Sequence, residues 1–141
     1  MNFTDINVEA QAKVLELLNE HIATSVDIIK ADHILLPMLI IFDSRQLFSL
    51  QPKNDETDVD KAYAFVVDKL KKESFSYALF SYSTQIELEN SKISNAIKTY
   101  IFTAQGIEVS FYTPYSLKGL LRKSINVEKT IFGGIKEHVF D

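Results

Sequence analysis

Between Phe75 and Tyr115 apolar and polar residues alternate almost without interruption. The alternation predicts strands, because successive strand side chains point to opposite faces. In a first run, Phe75, Tyr77, Leu79 and Ser81 fall on one side and Ala78, Phe80, Tyr82, Thr84, Ile86 and Leu88 on the other. Both faces near its start are apolar. A second run, Asn95 to Ala104, sets Ile97, Thr99, Ile101 and Thr103 against Ala96, Lys98, Tyr100 and Phe102. After a Gln105-Gly106 turn, a third run, Ile107 to Thr113, sets Ile107, Val109 and Phe111 against Glu108, Ser110 and Tyr112. Three such runs with short connections predict an antiparallel meander.

A different period governs the N-terminal part. From Asn7 to about Lys30, Val8, Leu15, Leu18, Ile22, Val26 and Ile29 recur at three, four or seven residues, with Val14 and Leu17 widening the stripe. This predicts an amphipathic helix. Asn7 is its N-cap, and Glu9 with Lys13 is an i, i+4 pair in the favourable order. Unbroken, the helix is a rod of about 35 Å, against about 24 Å across a five-stranded sheet. The mismatch leaves an oblique course, a break near Ala23-Thr24-Ser25, or an end that overhangs towards a partner.

The run Ile34 to Phe42 reads as a buried strand, with Asp43-Ser44-Arg45 as turn and Gln46 to Gln51 as a short pairing strand. Pro37 cannot donate a ladder hydrogen bond, so this strand lies at an edge or is interrupted there. Pro52 to Asp58 is a polar, acidic loop, and Thr57-Asp58-Val59-Asp60 has capping-box spacing. A second helix follows to about Glu73, burying Val59, Ala62, Tyr63, Val66, Val67 and Leu70. Asp58 and Asp60 stand at its start and Lys69, Lys71 and Lys72 at its end, as the macrodipole favours. Beyond the meander, Ser116 to Lys123 reads as a short helix, and Thr130 to Val139 as a strand or a hairpin around Gly133-Gly134.

The pattern predicts one α+β domain over residues 1–141, in the order α-β-β-α-β-β-β followed by a tail. The expected form is two layers: a mainly antiparallel sheet of about five strands with two helices on one face. Composition agrees, with 46% apolar residues, ten Phe, six Tyr and only four Gly in 141 residues, the balance of a chain that buries a core. The absence of cysteine excludes disulfides, thiol nucleophiles and thiolate metal sites. The first residues, Met1-Asn2-Phe3-Thr4-Asp5, lack the basic start and apolar core of a secretory signal. The run Ile34 to Phe42 is far short of the roughly 20 residues of a membrane helix. A cytoplasmic protein without membrane contact is expected. The formal charge of −4 argues against nucleic acid, whose binding domains are usually basic. Lys118, Arg122 and Lys123 are a second small basic group.

Standard chemical motifs are missing. The four glycines lack phosphate-loop spacing, and neither Gly-x-Ser-x-Gly nor His-Glu-x-x-His occurs. No catalytic residue, metal or cofactor is therefore expected. His21 reads as a helix-flank residue, and Asp32-His33 as the polar end of the first helix. The acidic run Asp55, Glu56, Asp58 and Asp60 lacks the Gly and distant Glu of a calcium loop. Asp43, Glu87 and Glu108 have no spacing that pairs them for acid-base work. Tyrosines carry the remaining binding potential, since each joins apolar area to a polar tip. Tyr82, Tyr100 and Tyr112 share a face if their strands are neighbours, with Tyr115 at its edge. The leading expectation is a noncatalytic protein-interaction or regulatory module that binds a protein partner or a second copy of itself as a homodimer. The alternative is a small-molecule-binding protein or enzyme, with a pocket between helices and sheet that uses His33, Arg45 and Ser83 beside Tyr82.

Overall fold

The computed structural model describes residues 2–42, 46–49, 59–119 and 124–141. After a 3-10 turn at Phe3–Asp5 come α1 (Val8–Asp32), β1 (Met38–Ile41), β2 (Gln46–Ser49) and α2 (Val59–Lys71). There follow β3 (Tyr77–Glu87), β4 (Ile93–Thr103), β5 (Glu108–Lys118), β6 (Ser124–Val127) and β7 (Ile131–Lys136). The α+β class and the order α-β-β-α-β-β-β are those of the hydrophobic pattern. The seven strands form one antiparallel sheet in the order β2-β1-β3-β4-β5-β6, with β7 also on β5.

The sheet has seven strands, not about five, because the tail adds two. Along the free side of β5, β7 pairs with Glu108–Tyr112 and β6 with Tyr115–Lys118. Pro114 lies between them and turns its carbonyl to the Glu128 N–H at 2.9 Å, away from β4, so its missing N–H breaks no bond to β4. Ser116 to Lys118 is accordingly strand and not helix; 120–123 lie outside the described residues. Gly133-Gly134 sits inside β7 at a bulge opposite Ser110 and Phe111. A Cβ on Gly133 would stand 2.7 Å from Ser110 Oγ, so close strand approach selects glycine there. Pro37 falls just before β1, which lies inside the sheet between β2 and β3.

The two helices lie on opposite faces of the sheet, not on one. In the β3, β4 and β5 register, Leu79, Ile101 and Val109 point to one face and pack against Val14, Leu17 and Leu18 of α1. Ala78, Phe80, Tyr82 and Phe102 point to the other and pack with Val66 and Leu70 of α2. The cause is legible in β3, whose start is apolar on both sides: each face has to be covered, and one helix goes to each.

Asn7 caps α1, its Oδ1 accepting the N–H of Glu9 at 2.8 Å and of Ala10 at 3.4 Å. Lys13 stands 3.7 Å from Glu16 rather than pairing with Glu9. The helix is unbroken over 25 residues, about 37 Å. Its early residues pack on Leu79 and Ile101, whereas Ile29 packs on Ile97 and Tyr115, nearer the β3–β4 turn. It therefore runs along the strands. Eleven-residue strands are about 36 Å long, so the lengths of helix and strands match. The Thr57 capping-box spacing lies outside the described residues. In α2, Lys72 meets Asp68 at 3.1 Å and Lys69 meets Glu73 at 3.4 Å, which accounts for those lysines as helix-end pairs. Among the described residues, no helix is long and apolar enough to cross a membrane.

Candidate functional site

A cleft of about 230 Å³ opens where the C-terminal end of α1 meets the β3–β4 end of the sheet, lined by His33, Ile34, Ser83, Thr84, Gln85, Asn95 and Tyr115. Local chain geometry assembles it. His33 caps α1 in the left-handed conformation, φ 69°, with its N–H bonded to the Ile29 carbonyl at 2.7 Å. That reversal of direction ends the helix and brings the following segment onto β3. There the Leu35 N–H donates to Ser83 Oγ at 2.7 Å and the Ser83 N–H to the Leu35 carbonyl at 2.8 Å. Beneath it Gln85, Asn95 and Tyr115 form one cross-strand row on the α1 face. Ser83 stands one row further in, with Oγ 3.1 Å from the Tyr115 hydroxyl.

The side chains facing it offer an imidazole, two carboxamides and two hydroxyls, those of Ser83 and Tyr115, with neither a carboxylate nor an ammonium. Such groups can both donate and accept hydrogen bonds. Ser83 is held by an amide and a phenol, neither of which is a base that would activate it as a nucleophile. The lining can hydrogen-bond a polar group.

The opposite face holds Tyr82, Tyr100 and Tyr112, which do share a side, as alternation predicts: Tyr82 and Tyr112 both flank Lys98 across the strands. Phe80 and Tyr100 stack at 5.6 Å, and Tyr63 of α2 stands 5.3 Å from Tyr100. Lys98 is buried at 6% exposure, with Nζ 3.6 Å from the Tyr112 ring centre and 4.9 Å from that of Tyr100. These rings hold its charge over their faces. Tyr63 donates a hydrogen bond to Glu108, whose carboxylate is buried at 3% exposure. Burial first, then that carboxylate, raises the Tyr63 pKa; burial first, with the Tyr82 hydroxyl next, raises that of Tyr100. Burial also raises that of Tyr82. The phenols stay protonated, and Tyr63 donates to Glu108. This face is a packed aromatic layer under α2.

The structure thus divides the residues singled out by sequence. His33, Ser83 and Tyr115 come together in the cleft; Tyr82, Tyr100 and Tyr112 lie on the far side of the sheet. Arg45, Asp43, Arg122 and Lys123 lie outside the described residues, as do Asp55, Glu56 and Asp58, while Asp60 is in the first turn of α2. Gln85 and Asn95 were missed. Their parity with Ser81 and Ile97 is legible in the sequence; the register that puts them opposite Tyr115 is not. His21 is not a flank residue but buried at 3% exposure, and His138 Nδ1 meets Asp141 at 3.0 Å. Among the described residues, no group of three or more His, Asp or Glu is arranged to hold a metal ion. No family model matches the chain, and neither a curated protein nor a solved structure matches it.

Proposed function

We propose that the chain is a noncatalytic protein-interaction module and that the cleft beside His33 is its recognition site. One observation carries the reading: hydrogen-bonding side chains from the α1 cap, β3, β4 and β5 converge next to Ile34, which is 46% exposed. A polar floor beside an exposed apolar side chain suits a peptide segment, which presents amides and a side chain together. The volume of about 230 Å³ is below the roughly 300–1,000 Å³ of small-molecule pockets, which favours a partner that covers the cleft over a metabolite enclosed in it. The partner is another polypeptide or a second copy of this chain.

Native mass spectrometry of protein purified gently from its source cells tests this. The expected result is a second polypeptide or a homodimer, retained by the wild type and weakened about tenfold or more, roughly 1.4 kcal/mol, in Ile34→Ser/Asn95→Ala. Both positions are exposed, so the fold should survive the change. A monomer carrying a reproducible small added mass would replace this reading with the small-molecule one. A complex indifferent to the double substitution would remove the cleft from it.

A further inference from the structure

The α1 face carries two apolar clusters. Val14, Leu17 and Leu18 meet Leu79, Ile101 and Val109 in one; Ile29 meets Leu35, Met38 and Ile97 in the other. On the helix, the buried residues between Leu18 and Ile29 are His21 and Ser25. On the sheet, the row between Leu79–Ile101 and Ser83–Ile97 is the cross-strand pair Ser81 and Thr99. The buried positions of the helix segment between the clusters are thus polar, as is the centre of the strand row, whose outer members Met38 and Phe111 belong to the clusters. All four side chains are closed to solvent, His21 at 3% exposure and Ser25, Ser81 and Thr99 at 0%.

His21 Nε2 has a partner, Ser25 Oγ at 3.1 Å. Three other atoms of the layer, His21 Nδ1, Ser81 Oγ and Thr99 Oγ1, are buried without a hydrogen-bond partner. Burying one such group dry is costly and burying three in one layer more so, whereas a buried water molecule typically makes about three hydrogen bonds to groups of this kind. We propose that α1 and the sheet enclose a water-binding site here, in which one water bridges His21 Nδ1 to the Ser81 and Thr99 hydroxyls. Neutral imidazole and hydroxyls select a small uncharged molecule that both donates and accepts, not an ion. The bridge ties the middle of α1 to β3 and β4 and fixes the docking position of the helix, because sliding α1 would set Leu18 or Ile29 over hydroxyls.

Oxygen-17 magnetic relaxation dispersion counts long-lived internal waters in solution. The wild type is expected to hold one more than Ser81→Ala/Thr99→Val, measured on variant protein that still melts cooperatively; equal counts would overturn the site. A high-resolution crystal structure of the unmodified chain gives a second measurement that needs no variant. Water density within hydrogen-bonding distance of His21 Nδ1 and at least one of the two hydroxyls supports the site, and a layer without such density overturns it.

Discussion

His21 is the residue on which the physics of this protein is most concentrated. Burial lowers its pKa from 6.5 to about 4, because the interior penalises the charged ring. On the α1 face beneath it, Met38, Ser81, Thr99 and Phe111 are untitratable and offer the proton no counter-charge. The folded pKa is below the unfolded one, so the unfolded chain takes up the proton first as pH falls. Stability from this group is complete above about pH 6.5 and lost progressively down to about pH 4, a total of about 3 kcal/mol. Urea unfolding at pH 7 and pH 4.5, in wild type and His21→Gln, measures it. The wild type should lose more stability than the variant; parallel losses would mean that His21 titrates normally. The burial was within reach of the sequence, since Val14, Leu18, His21, Ser25 and Ile29 follow one helical stripe. A stripe drawn through apolar residues alone steps over its polar members.

At the scale of elements, caps and faces make separate predictions. Asn7 satisfies two amides at the start of α1. Asn7→Ala should cost about 1 kcal/mol, read as a lower thermal midpoint with unchanged cooperativity; an unchanged midpoint would mean that the cap contributes nothing. Tyr100 is stacked on Phe80 and Phe102 and faces Tyr63 of α2. Tyr100→Ala should therefore act on the fold, by about 3 kcal/mol in denaturant unfolding, whereas Asn95→Ala at the cleft should leave stability within about 0.5 kcal/mol. A Tyr100→Ala protein of wild-type stability would show that α2 does not rest on this ring. The meander was legible because alternation over eleven residues is hard to mistake. β7 falls within the strand or hairpin read over Thr130 to Val139, but β6 was not legible, since four half-exposed residues carry no period of their own and are made a strand by the edge of β5.

At the scale of the whole molecule, both sheet faces are covered near the middle of β4, which is flanked by eleven-residue neighbours. Amide exchange should be slowest in β4 between Ala96 and Phe102 and fastest in β6, because opening the centre requires both helices and two ladders to separate. Equal protection in the two strands would contradict this layered arrangement. The sequence by itself determined what short-range pattern can encode: the period of each main element, the Asn7 cap, the turn at Gly106 and the parity that sends Tyr82, Tyr100 and Tyr112 to one face. Only the tertiary structure decided which helix covers which face, that α1 lies along the strands, and that His33, Ser83, Gln85, Asn95 and Tyr115 meet in one cleft. Those depend on strand register and helix docking, which join residues far apart in the chain through contacts that no local period records.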